Sequence, residues 1–201
     1  MLIQAVNKQK KSLVEVIVDG ESFLIDRETF SLSGYQVGKE ITNAEIDELI
    51  TKSENHRAKE KALWLLSRRD YSKTELLKKL KCDASDEAAE QTAERMEEVG
   101  LINDTSYAKR YASDLFHIKQ LSNRMVLYEL TGKGIDKELA REVIEELAVK
   151  DEETIAALVQ RKFPVLESEK EIRRAHAYLL RKGYSYGLIS GALKNHTKEE
   201  I

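Results

Sequence analysis

A helical joint that occurs three times constrains the fold of this chain more than any other feature. With Ser72, Ser122 and Ser185 in register, the sequences that lead to them read "LLSRRDYS", "LFHIKQLS" and "LLRKGYS". An apolar residue precedes each serine, and another follows it four positions later. A serine at a helix N-cap accepts a hydrogen bond from a free backbone N–H, and such apolar pairs form a hydrophobic staple. The pattern therefore predicts a repeated helix–turn–helix unit.

A further helix follows each of the first two joints. Asp86 and Asp136 stand at equivalent positions after Ser72 and Ser122 and are predicted to cap these helices. The segment "DEETIAALVQ" then opens a third unit, but only "KNHTKEEI" follows Leu193. The sequence predicts tandem three-helix repeats in a solenoid-like array, with the closing helix of the third repeat missing.

The first 42 residues have a different pattern. "SLVEVIVDGESFLID" alternates polar and apolar residues around Asp19 and Gly20, which is typical of a β-hairpin with a tight turn. "LIQAV", from Leu2, can supply a third strand, and "SGYQVGKEIT" is interpreted as a loop. From Asn43, the predicted cap of the next helix, the apolar spacing becomes helical.

The predicted fold class is mainly α, with tandem three-helix repeats in a curved solenoid-like array and a small N-terminal antiparallel β region. The predicted divisions are a β-hairpin region (1–42), a helical linker with repeat 1 (43–102), repeat 2 (103–150) and an incomplete repeat 3 (151–201).

Composition excludes several classes of protein. The single cysteine, Cys82, precludes an intramolecular disulfide, and the longest apolar run, "ALWLL" from Ala62, is too short to cross a bilayer. We expect a cytoplasmic protein without a membrane contact or a small-molecule substrate. The four histidines are scattered and no motif has nucleotide-binding spacing, so no catalytic residue, metal or cofactor is predicted. Four aromatic residues on apolar helical faces are expected in the core: Trp64, Tyr107, Tyr111 and Tyr178.

Charge alternates along the repeats, although the formal net charge is only −3. Residues 57–81 contain nine Lys/Arg and three Asp/Glu, whereas residues 83–104 contain one and eight. The same alternation recurs downstream, with basic segments at 107–133 and 161–194. If the basic helices line one edge of the array, they form a surface for phosphates or an acidic protein. The predicted partner-binding residues lie close to the joints: Arg68, Arg69, Lys73, Lys78, Lys79, Lys119, Arg124, Arg181 and Lys182.

The order of several short motifs resembles the RecX family of bacterial recombination regulators. The motifs are Arg68-Arg69 with Ser72 and "ELLKKL", then "GLINDTSYA" from Gly100, then "ELTGKGI" from Glu129. The resemblance covers roughly residues 57–193. It implies a non-enzymatic modulator that binds the RecA recombinase filament on single-stranded DNA, lodges in the filament groove and limits strand exchange and filament growth. It also implies that the helical repeats carry the interacting surface.

The residues themselves leave two other interpretations open. The basic segments also suit a nucleic-acid-binding array that acts without RecA, and a weak direct contact with DNA is compatible with either interpretation. A helical scaffold for a different partner would show the same repeat.

Overall fold

The computed structural model describes residues 1–9, 12–147 and 149–199. The chain divides into two compact units, residues 1–102 and 103–201. The strands of the described residues are β1 (Ile3–Lys8), β2 (Leu13–Val18) and β3 (Glu21–Asp26). The helices are α1 (Arg27–Ser33), α2 (Asn43–Leu66), α3 (Lys73–Leu80), α4 (Asp86–Glu98), α5 (Asp104–His117), α6 (Asn123–Gly132), α7 (Lys137–Leu147), α8 (Asp151–Lys162), α9 (Glu169–Arg181) and α10 (Tyr186–Glu199).

The three strands form an antiparallel sheet in the order β1-β2-β3, as the alternating pattern predicts. The β2–β3 turn has positive φ at both central residues, 47° at Asp19 and 88° at Gly20, which matches the right-handed twist of a hairpin. Alternate residues of β2 point inward, and Val14, Val16 and Val18 are buried. The mainly α fold with a small N-terminal antiparallel sheet is therefore confirmed.

The helix α1 was not predicted by the sequence, which placed only strands and loops in residues 1–42. Asp26 caps this helix by accepting from the backbone N–H groups of Glu28 and Thr29. The helix has only seven residues and none of them is buried. An apolar stripe, the signal that reveals most helices, is therefore absent from it.

The helix α2 is continuous over 24 residues and connects the sheet to the first repeat. Its cap is Thr42 and not Asn43, one residue earlier than predicted, because Thr42 and Glu45 form a reciprocal capping box. The N-terminal half of α2 buries Ile46 and Leu49 against the sheet. The C-terminal half packs on α3 and α4 around a core that contains Leu76, Leu80 and Met96.

The second three-helix group is α5, α6 and α7, packed around Leu115, Val126 and Val143. Asp136 caps α7, as predicted, by accepting from the backbone N–H groups of residues 138 and 139. The equivalent prediction for α4 is wrong by one residue, because Ser85 is the cap and Asp86 is the first helical residue.

The third group does not lack a helix, contrary to the prediction. Residues 151–199 form α8, α9 and α10, which share one core around Leu158, Leu179 and Ile189. The error arose because the joint of this group lies between its second and third helices, α9 and α10, and not between the first and second. The helix that follows Ser185 is therefore already the closing one. Pro164 has no N–H and restricts the residue before it, so α8 ends at Lys162 and a new capping box at Ser168 starts α9. The repeat boundaries at 43–102, 103–150 and 151–201 stay a prediction.

Adjacent leucines of α3 provide a test of this helix register. Leu76 is fully buried in the first repeat and Leu77 is half-buried. Replacement of Leu76 by Ala should lower the free energy of unfolding by about 2–5 kcal/mol, because it leaves a cavity, and Leu77→Ala should cost clearly less. Urea unfolding followed by fluorescence of Trp64 measures both variants. A larger loss for Leu77→Ala would contradict the register.

Candidate partner-binding joints

The three predicted joints are the turns α2–α3, α5–α6 and α9–α10, which we call joint 1 (67–72), joint 2 (118–122) and joint 3 (182–185). In each joint the serine side chain accepts from the backbone N–H three residues later, at 3.1 Å for Ser72, 3.3 Å for Ser122 and 3.3 Å for Ser185. The staple residue that follows each serine is fully buried in the core of its group. The sequence-predicted geometry of the joint is therefore present three times.

Joint 1 places two arginines on aromatic rings. The guanidinium carbon of Arg68 lies 4.3 Å from the ring centroid of Trp64, and that of Arg69 lies 3.7 Å from the ring centroid of Tyr71. Trp64 is 55% exposed, so its predicted burial in the core is wrong. It lies one helical turn before Arg68, where an exposed ring and a cation attract each other.

Carboxylates neutralise part of the charge at joint 1. Arg69 Nη1 lies 3.3 Å from Glu75 Oε2, and Lys73 Nζ lies 2.6 Å from Glu97 Oε2. Burial opposes the charge of Arg69, but its hydrogen bond to Glu75 raises the pKa of Arg69 above its usual value. Lys78 and Lys79, in the last turn of α3, are exposed. Of the five predicted cations in residues 1–102, two therefore have an acidic partner.

Joints 2 and 3 contact each other through one backbone–backbone hydrogen bond and two bonds from side chains to backbone carbonyls. The N–H of Ser122 donates to the carbonyl of Lys182 at 3.0 Å, and Lys182 Nζ donates to the carbonyl of Lys119. The hydroxyl of Tyr184 donates to the carbonyl of Gln120 at 3.2 Å. Burial, followed by the nearby charge of Asp151, raises the pKa of Tyr184, so the hydroxyl stays a donor at every physiological pH.

Two residues with unusual backbone angles make this contact possible. Gly183 has a φ of +93°, and a Cβ there would lie 2.6 Å from Ser122 Oγ and 2.7 Å from Met125 Cβ. Gln120 has a φ of 51°, a conformation that costs a non-glycine residue roughly 1–2 kcal/mol. Its carbonyl bond to Tyr184 and the bond of its side-chain oxygen to Arg161 offset that cost.

Further cations surround the contact between joints 2 and 3. The ammonium groups of Lys162 and Lys182 lie 5.6 and 5.4 Å from the ring centroid of Tyr178, and Lys119 Nζ lies 6.0 Å from that of Tyr111. We call the following four residues the cationic seam: Lys119, Arg161, Lys162 and Lys182. Arg181, the last residue of α9, is exposed. The sequence did not single out Arg161 and Lys162, because they end α8 and lie far along the chain from Ser122 and Ser185. Only the fold brings them to Gln120 and Tyr178.

Acidic groups near the seam have other partners. Asp151 accepts from the backbone N–H of Asn123 at 2.9 Å, and Glu129 accepts from the hydroxyl of Tyr111 at 3.3 Å. Burial raises the pKa of Asp151, although the N–H of Asn123 opposes this effect. Arg124, the second residue of α6, is exposed close to joint 2 in sequence. Tyr107 is buried as predicted, whereas Tyr111 and Tyr178 are half-buried.

The described residues contain no candidate metal centre. No group of three or more His, Cys, Asp or Glu in this part of the chain could hold a metal ion. Cys82 is exposed and donates to the carbonyl of Lys78. Among residues 1–9, 12–147 and 149–199, no helix is both long enough and apolar enough to span a bilayer.

The architecture thus defines a protein of tandem three-helix repeats with basic joints, and comparison with known proteins identifies its family. Residues 103–144 match the family model described as "RecX, second three-helix domain", and residues 150–193 match "RecX, third three-helix domain". A protein named "Regulatory protein RecX" from Caldanaerobacter subterraneus subsp. tengcongensis is 32% identical over 96% of this chain and 98% of its own length. The protein of that name from Streptomyces coelicolor is 36% identical over 60% of this chain and 66% of its own.

The chain therefore belongs to the RecX family, as its motifs indicated. A crystal structure titled "Crystal structure of regulatory protein RecX" superimposes with a TM-score of 0.62 at 19% identity, over 96% of this chain and 98% of the other. At that identity the likeness supports the fold alone. Both relatives are named as regulatory proteins, and this name supports a regulatory role for the chain.

Substitution of Gly183 tests the contact between joints 2 and 3. Gly183→Ala should lower the free energy of unfolding by at least about 2 kcal/mol, because the added Cβ strains the backbone and collides with Ser122 and Met125. Gly191→Ala, in the interior of α10 with open space around it, should instead stabilise the chain by about 0.5–1 kcal/mol. Thermal denaturation followed by circular dichroism compares the two. Equal stability of both variants would show that the joints are not in contact.

Proposed function

We propose that this protein is a non-enzymatic regulator that binds the RecA recombinase filament on single-stranded DNA in the cytoplasm and limits strand exchange. Membership of the RecX family is the observation that carries the proposal. Binding would use the repeats, with the nine cations predicted at the joints as contact residues. No step of this activity requires a metal, a cofactor or a small-molecule substrate.

The distribution of charge supports a binding surface at the joints. Exposed Arg68 at joint 1, exposed Arg124 at the start of α6 and the exposed lysines at the end of α3 present cations to solvent. Charged groups at the rim of a binding surface accelerate association with an acidic partner. The near-neutral total charge means that such attraction is local.

Co-sedimentation with RecA filaments tests the proposal. The protein should pellet with RecA assembled on single-stranded DNA at micromolar concentration and should slow strand exchange. The double variant Arg68→Gln/Lys79→Gln should bind about fivefold or more weakly, because it removes two rim charges that contribute roughly 0.5–1 kcal/mol each.

The matched control is Lys8→Gln/Lys59→Gln, which removes the same charge from exposed positions of β1 and α2 outside the predicted set. It should bind the filament as the unchanged protein does. Failure of the unchanged protein to pellet or to slow strand exchange would reject the proposal. Equal losses of affinity for the two double variants would reject the assigned residues.

A further inference from the structure

Trp64 and Arg68 form an exposed pair that lies outside the core of the first repeat. Trp64 is the only tryptophan of the chain and is 55% exposed, whereas its neighbours Ala62 and Leu65 belong to the core. The guanidinium carbon of Arg68 lies 4.3 Å from the ring centroid of Trp64. Tryptophan and arginine, with tyrosine, are the residue types that contribute most often to binding energy at protein interfaces.

The polar atoms of this pair are open to a partner. In the part of the chain that the structure describes, no acceptor binds the guanidinium of Arg68 or the indole N–H of Trp64. The neighbouring arginine is different, because Arg69 lies over Tyr71, which is buried, and its guanidinium donates to Glu75. Of these two arginine–aromatic pairs at joint 1, Trp64–Arg68 is therefore the one that presents both an exposed ring and open donors.

Backbone hydrogen bonds fix the position of the pair before any partner binds. Trp64 lies in the last turn of α2, where Ser67 Oγ donates to the carbonyl of Trp64 at 2.8 Å and the N–H of Ser67 donates to the carbonyl of Leu63 at 2.9 Å. The N–H of Arg68 donates to the carbonyl of Leu65 at 3.1 Å. Because the guanidinium is already stacked on the ring, binding orders fewer rotatable bonds than it would for an extended arginine.

The charges around the pair favour a protein partner over a polyanion. At joint 1, carboxylates pair with Arg69 and Lys73, and exposed Glu60 precedes Trp64 by one helical turn. A nucleic-acid strand requires several uncompensated cations along its path. A single carboxylate beside apolar side chains requires only one guanidinium and an apolar surface, which Arg68 and Trp64 supply.

We propose that the Trp64–Arg68 pair is the main anchor of joint 1 on the RecA filament, where it binds a carboxylate that lies beside apolar side chains of the recombinase. The guanidinium donates to both carboxylate oxygens, and the indole ring covers the apolar surface. Removal of water strengthens the attraction between a cation and an aromatic ring, so the pair gains more on binding than either side chain alone. This assignment rests on the function proposed above and adds Trp64, which was not among the predicted contact residues.

Filament co-sedimentation with a double-mutant cycle tests the anchor. The variants are Trp64→Ala, Arg68→Lys and the combination of both, and each is titrated against RecA assembled on single-stranded DNA to obtain Kd. The matched control is Tyr128→Ala, which removes a 70% exposed aromatic ring on α6 that no cation of the described residues stacks against. Thermal denaturation followed by circular dichroism checks that all variants are folded.

Trp64→Ala should bind the filament at least about tenfold more weakly than the unchanged protein, because truncation removes the ring and releases Arg68. Arg68→Lys keeps the charge but loses the planar fork, so it should bind about threefold more weakly. The combined variant should bind within about twofold of Trp64→Ala, since the two side chains act as one unit. Tyr128→Ala should bind within about twofold of the unchanged protein.

Fluorescence quenching measures the burial of the ring directly. The single tryptophan is replaced biosynthetically by azatryptophan, whose red-shifted absorption separates it from any tryptophan of RecA. Acrylamide should quench this fluorophore at least about twofold less in the filament-bound protein than in the free protein, because the ring loses contact with water.

Normal pelleting of Trp64→Ala, or an equal loss of affinity for Tyr128→Ala, would overturn the inference and leave the proposed function intact. Failure of the unchanged protein to pellet would reject both. Fluorescence anisotropy of a labelled dT strand without RecA tests the alternative that bases stack on the ring. A loss for Trp64→Ala on this naked strand as large as its loss on the filament would assign the pair to DNA and overturn the inference.

Discussion

The N–H of Ser122 donates to the carbonyl of Lys182, and the arrangement of the second and third helix groups depends on this bond. Ser122 is the N-cap of α6, so its backbone N–H has no acceptor within its own helix and can donate to a partner outside it. Gly183 lets the two backbones approach closely enough, since any Cβ at that position would meet Ser122 and Met125. The bond is therefore backbone to backbone, and the side chains of Lys182 and Tyr184 add two hydrogen bonds across the same contact.

The three joints share one local structure but differ in their electrostatics. At joint 1, Glu75 and Glu97 approach the cations, and the resulting exposed ion pairs contribute little to stability. At joints 2 and 3, the cations lie over tyrosine faces and beside backbone carbonyls, and carboxylates such as Asp151 bind elsewhere. The serine caps and apolar staples therefore determine the repeated structure of the joints. The surrounding helices determine whether the positive charge of each joint is available to a ligand.

Local signals in the sequence predicted most of the fold. The serine caps, the staples and the Asp19-Gly20 turn depend on neighbours within a few residues, and all are present. Helix α1 escaped prediction because it buries no side chain. The third group was misread because its joint lies between the second and third helices and not between the first and second. The prediction that Trp64 lies in the core was wrong because its apolar neighbours on α2, Ala62 and Leu65, face the core and Trp64 does not.

The candidate site was less accessible to sequence reasoning than the fold. Lys119, Arg181 and Lys182 could be proposed because they lie next to joint serines, but Arg161 and Lys162 reach the seam only through tertiary packing. The left-handed conformation of Gln120 likewise has no sequence signal, because it is maintained by Tyr184 and Arg161 from distant segments.

Hydrogen exchange at the Ser122 amide, measured by NMR, tests the central claim most directly. An N-cap amide has no partner within its own helix and normally exchanges like an exposed group. Because this N–H is bonded to Lys182, the account predicts protection comparable to that of the core amides of α6. Exchange at the rate of an unprotected loop amide would contradict it, because joints 2 and 3 would then be apart and the seam would not be assembled.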